Sequence, residues 1–147
     1  MKNFWIKFLL VILSIFITDN IYASEGKLMS NIQVKYQILV AIEGMKGMLP
    51  MQVDEFNTTL FKIKPFGVRG VEMFYRKDTT KDEYEEYEAR AIHELYLKKL
   101  QIHNYCNNTT LIWYRNEFVE HKWTYLDKND EHLLSIRGNP NDCPCCL

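Results

Sequence analysis

The stretch TTLFKIKPFGVRGVEMFYRKDTTKDEYEEYEARAIHELYLKKLQIHN, residues 58–104, decides the fold. Its first half alternates. Phe61 and Ile63 alternate with Lys62 and Lys64, and Val71, Met73 and Tyr75 alternate with Glu72 and Arg76, with Phe74 breaking the rule. A period of two sets one side of a strand against a core and the other in water. Strands are therefore expected over 58–66 and 70–77. Gly67 and Gly70 suit the connection between them, so a hairpin is the simplest pairing. The second half changes period. Thr80 and Glu83 stand at capping-box spacing. The segment after them begins acidic (Asp82, Glu83, Glu85, Glu86, Glu88) and ends basic (Lys98, Lys99), which complements a helix dipole at both ends. Tyr84, Tyr87, Ala91, Leu95 and Ile102 form an apolar stripe, widened by Ile92, Tyr96 and Leu97. One continuous helix over 81–104 is predicted.

The flanks extend this pattern. Ile32, Tyr36, Leu39, Ile42 and Met45 recur at helical spacing and predict a helix over 31–47. Asn31 is its expected cap, and Gly44, Gly47 and Pro50 weaken and end it. Residues 109–115 read as a short helix or turn. Over 117–126, Val119, His121, Trp123 and Tyr125 share one side of a strand, and Asp127-Lys128-Asn129-Asp130 forms a turn. Residues 131–137 complete a second hairpin. The order α-β-β-α-β-β predicts an α+β fold, a four-stranded antiparallel sheet with helices packed on one face. The 147 residues suit one such domain, 31–142, with a flexible stretch 24–30 before it and a Cys-rich tail 143–147 after it. Hydrophobic residues at 47% and charged residues at 25% are a globular composition. A net charge of −1 leaves no overall footprint for nucleic acid.

Residues 1–23 read as a secretory signal peptide. Lys2 and Lys7 precede the apolar run Phe8–Ile17, a polar Thr18-Asp19-Asn20 follows, and Ala23 offers a small residue at the cut. The run is shorter than the roughly 20 apolar residues a membrane span needs. The expected address is periplasmic or secreted, with no stable membrane anchor after cleavage.

Export makes the four cysteines, Cys106, Cys143, Cys145 and Cys146, disulfide candidates. Three pairings are open. The adjacent Cys145 and Cys146 have three uses: an interchain bridge and so a disulfide-linked dimer, free thiols, or, together with Cys143, a soft-metal set. The spacing is not that of a zinc ribbon, so no metal site is assigned. His93, His103, His121 and His132 lack the spacing of a metalloprotease motif, and the acidic start at 82–88 reads as dipole complement. No nucleophile–base pair or phosphate loop is visible, and no cofactor is expected. Tyr84, Tyr87, Tyr96, Trp113, Trp123 and Tyr125 are the candidate interaction surface, with a core role expected for part of the set.

Leu49-Pro50, Val53-Asp54-Glu55, Asn57-Thr58-Thr59-Leu60, the isolated Cys106, Trp123 and Tyr125 before Asp127, and Cys143 together carry a likeness. Over about residues 32–143 the chain resembles a group of small exported bacterial proteins without assigned activity. The resemblance implies a periplasmic or secreted α+β domain with a Cys106–Cys143 disulfide. It supplies no catalytic residues. The expected function is a small non-enzymatic domain that binds another envelope or secreted protein. A pilotin-like accessory to a secretion system and an immunity protein against a toxin both fit. A thiol- or metal-handling protein built on the Cys-Pro-Cys-Cys tail is the alternative.

Overall fold

In the computed structural model, residues 28–143 are described, so the expected signal peptide at 1–23 and the tail beyond Cys143 lie outside the described residues. The elements are α1 (Asn31–Lys46), β1 (Met51–Gln52), β2 (Thr59–Pro65), β3 (Gly70–Arg76), α2 (Lys81–Glu86), α3 (Arg90–Asn107), α4 (Ile112–Asn116), β4 (Glu120–Leu126) and β5 (His132–Gly138). Single 3-10 turns at Thr109–Leu111 and Pro140–Asp142 follow α3 and β5.

The first hairpin forms as expected, with β2 and β3 antiparallel from Thr59↔Arg76 to Pro65↔Val71. A bulge between Leu60 and Lys62 resets the alternation, so Leu60 and Ile63 are both buried. Gly67 takes a positive φ of 58° in the connection, a conformation open to glycine without strain. The second hairpin, β4 with β5, is also antiparallel. Asp127 shapes its turn by accepting from the backbone N–H of Asn129 at 2.7 Å and Glu131 at 2.8 Å.

The sheet departs from the expected one. It has five strands in the order β1-β2-β3-β4-β5, and its central pair, β3 with β4, is parallel. The chain leaves β3 at Arg76, runs back through α2 and α3 along the sheet, and re-enters at Glu120 beside Gly70, the end where β3 began, which makes the pair parallel. Two hairpins joined by a helix leave that direction open. The fifth strand, β1, spans only Met51–Gln52, too short for any period to reveal.

The predicted long helix is broken. α2 ends at Glu86, Tyr87 is extended, and α3 starts at Arg90. No glycine or proline marks the break. It allows Tyr84 to turn into the protein, where its hydroxyl donates to Glu94 at 3.3 Å. The Thr80–Glu83 capping box forms as expected. α1 is capped by Ser30 rather than Asn31, in a second capping box with Gln33.

The core lies between one face of the sheet and the helices. Leu60, Ile63, Val71, Tyr75, Val119, Trp123, Tyr125 and Ile136 pack against Val34, Ile38 and Ile42 of α1 and Leu97, Tyr105 and Cys106 of α3. α3 approaches β5 closely: a Cβ on Gly138 would lie 2.8 Å from Ile102 Cδ1. On α1 the predicted stripe is mostly the wrong one. Val34, Ile38, Ala41 and Ile42 are buried, while Ile32, Tyr36 and Leu39 face out. On α3, likewise, Leu97 is buried and Ile92, Leu95 and Tyr96 are exposed. Both helices carry apolar residues on more than one side, so periodicity alone could not choose the buried one.

Candidate interaction surface

The six aromatic residues proposed from the sequence divide. Trp123 and Tyr125 are core residues of β4, and Tyr84 is buried under the helix break, so these three are not an exposed surface. Trp113 is half-buried, edge-on to Tyr114 with ring centroids 5.1 Å apart. Tyr87 and Tyr96 are exposed. Strand alternation sets Trp123 and Tyr125 on one side of β4 with Val119 and His121, and that whole side faces the core.

The exposed apolar surface is broader than those two tyrosines. On α1, Ile32 is 82% exposed, Tyr36 64%, Leu39 46% and Val40 44%. These positions recur at steps of three and four, so they form one stripe opposite the buried side. The start of α1 is held firmly. Arg69 donates from Nε to Asn31 Oδ1 at 2.6 Å, from Nη1 to the Glu117 carbonyl at 2.7 Å, and from Nη2 to the Met29 carbonyl. Glu117 in turn accepts from the Met29 N–H at 2.8 Å and pairs with Arg69 at 3.6 Å. The stripe is therefore presented by a helix whose entry is fixed. Ile92, Leu95 and Tyr96 expose a similar patch on α3.

The opposite face of the sheet has a different chemistry. Lys64, Glu72, Lys122 and Arg137 stand in register across β2, β3, β4 and β5. Glu72 is buried at their centre, contacted by Lys122 Nζ at 2.8 Å and Lys64 Nζ at 3.1 Å, and accepting from Thr124 Oγ1 at 2.8 Å. Burial alone would raise its carboxyl, but hydrogen bonds from Lys122, Thr124 and Lys64 outweigh that and hold it at about 2. Around this centre the cations stack on half-buried rings. Lys64 and Lys62 lie 4.7 and 5.6 Å from the Phe74 centroid, Arg76 4.3 Å from Phe61, and Arg137 and Lys122 4.9 and 5.1 Å from Phe66. Phe74, which breaks the apolar alternation of β3, is explained here: it belongs to this cationic face. Lys62, Lys64, Glu72, Arg76 and Lys122 fall on the outward side of their strands' alternation, whereas Phe61, expected on the same side as Ile63, is turned to this face at the bulge between Leu60 and Lys62.

The Asp54 motif is structural. Its Oδ1 accepts from the Phe56 and Thr58 N–H groups at 2.9 Å each and shapes the loop between β1 and β2. Cys106 and Cys143 are joined by a disulfide, Cα atoms 5.3 Å apart, which ties the last turn of α3 to the turn after β5. Cys143 is thus not a free thiol for a three-cysteine set. Cys145 and Cys146 lie outside the described residues. Among the described residues no group of three or more His, Cys, Asp or Glu is placed to hold a metal, and no helix is long and apolar enough to cross a membrane.

His121 is the other unusual titratable group. Its ring sits among Tyr105, Tyr114 and Trp123 at centroid distances of 4.9, 5.1 and 5.7 Å. Nε2 has no hydrogen-bond partner among the described residues, and burial pushes the imidazole down to about 3. A neutral imidazole enclosed by rings is a core group. His93 is half-buried, edge-on to Tyr84 and Tyr87, while His103 and His132 are exposed on α3 and β5. His132 Nε2 meets Ser135 Oγ at 2.9 Å on the exposed part of β5.

No protein-family model and no curated protein matches this chain. Among solved structures, the pilotin EpsS of the Vibrio vulnificus type 2 secretion system is similar, at 12% identity and a TM-score of 0.59, over 77% of this chain and 94% of the pilotin. A Pseudomonas aeruginosa protein inferred to be secreted is similar at 10% identity and a TM-score of 0.64, over 77% of this chain and 95% of that one. At these identities the likeness concerns the fold: the chain shares its α+β architecture with a pilotin and with a second protein assigned to export.

Proposed function

We propose that this chain is an exported accessory protein of the bacterial envelope that acts by docking another envelope or secreted protein, and that it belongs with the small exported proteins its sequence resembles. The observation that carries the proposal is the second apolar stripe of α1. A helix that already buries one side in a complete core, and still presents Ile32, Tyr36, Leu39 and Val40, leaves apolar area that a partner would remove from water. The signal-peptide pattern at 1–23 and the shared architecture with a pilotin support the address and the class of role.

Two measurements test it together. N-terminal sequencing of protein recovered from an export-competent host is expected to begin at Ser24. A photo-crosslinking residue at Tyr36 or Val40 is expected to give one discrete adduct with a second protein in the native host. Uncleaved cytoplasmic protein refutes the address, and the absence of any adduct from both positions refutes the docking role.

A further inference from the structure

We propose that the open face of the sheet recognises an acidic, aromatic-containing segment of the docked protein; this rests on the docking function above and names the partner's chemistry. The face carries five cations, Lys62, Lys64, Arg76, Lys122 and Arg137. It carries three carboxylates: Glu72, Asp130 on Arg76, and Glu120 on Arg137. The excess is two positive charges on a chain whose net charge is −1. Charge is therefore segregated, with the cations collected on one side of the sheet and the acidic excess elsewhere.

The cations are also pre-arranged. Each stacks on Phe61, Phe66 or Phe74, and Lys64 and Lys122 are further fixed by the buried Glu72. Holding them in place before binding lowers the side-chain entropy lost when a carboxylate arrives. Glu72 is already saturated by Lys64, Lys122 and Thr124, so it orients the lysines rather than competing for an incoming anion's place on Lys62 or Arg137. The half-buried rings supply flat apolar contact between the charges. This combination suits a peptide that alternates carboxylates with aromatic side chains. An anionic bilayer asks for charge density alone and makes no use of positions fixed in this way.

The test uses the exported, disulfide-intact protein and a fluorescein-labelled synthetic peptide alternating Glu and Tyr, read by anisotropy. Saturable binding is expected. It should weaken about tenfold or more when Lys62→Glu and Arg137→Glu are combined, and should also weaken when salt shortens the screening length. Both side chains are exposed, so an unchanged urea midpoint verifies the fold of the double variant. Lys128→Glu, outside this face, should bind as the parent does. The proposal is overturned by an absence of saturable binding, by equal affinity of parent and double variant, or by retention on phosphatidylglycerol vesicles without peptide binding. A crosslink from α1 that persists alongside any of these outcomes would leave the docking function standing and remove only this assignment of the sheet face.

Discussion

Lowering the pH should destabilise the protein through His121 before its carboxylates titrate, and replacing that histidine should remove the effect. The imidazole is buried and depressed to about 3, whereas in the unfolded chain it titrates near the ordinary value of 6.5. The folded state therefore binds fewer protons than the unfolded state between those limits. Its contribution to stability is complete above pH 6.5 and is lost as pH falls towards 3. The slope is about 1.4 kcal/mol per pH unit, so about 2.5 kcal/mol disappears between pH 6.5 and 4.5. With a urea m-value of about 1–3 kcal/mol/M, the midpoint should fall by about 0.8–2.5 M over that interval. His121→Phe keeps an aromatic ring of similar shape among Tyr105, Tyr114 and Trp123 and removes the unpartnered Nε2. At neutral pH its stability should lie within about 1.5 kcal/mol of the parent, because a lost polar burial offsets imperfect packing. Urea unfolding followed by tryptophan fluorescence at about pH 7, 5.5 and 4.5 measures both proteins. His93, also lowered by burial, contributes with the same sign in both and cancels in the difference. Parallel loss of stability in parent and variant would refute the assignment of the acid sensitivity to His121.

Other outcomes follow from single contacts. Cys106→Ala, Cys143→Ala and the double change should each lower stability by about 4 kcal/mol, the loop-entropy value for a 37-residue separation, and equal losses in urea melts would establish that the two act as one unit. Glu72→Gln should cost about 1–3 kcal/mol at neutral pH. The parent's Glu72 contribution is present above the ordinary carboxylate range and is lost as pH falls towards about 2; the variant's melts should lack that part of the acid dependence. Arg69→Ala should cost about 2 kcal/mol and speed hydrogen exchange in the first turns of α1 more than in β3, since it removes the bonds to Asn31, Met29 and Glu117. Uniform exchange changes across the domain would contradict that clamp.

Local rules in the sequence determined much of the architecture. Alternation marked β2, β3 and β4, the Thr80–Glu83 box started α2, and Asp127 to Asp130 marked the turn into β5, because each depends on residues near one another in the chain. What remained was decided by contacts between distant segments. The direction of β4 beside β3 follows from where α2 and α3 return the chain, and β1 exists only because β2 is there to pair with it. Which side of α1 is buried depends on the sheet it meets, since apolar residues occupy both sides. The cationic face assembles Lys64, Glu72, Lys122 and Arg137 from four strands, so no window of sequence contains it. Periodicity records which side chains share a face; only packing settles which face meets the core and which is left for a partner.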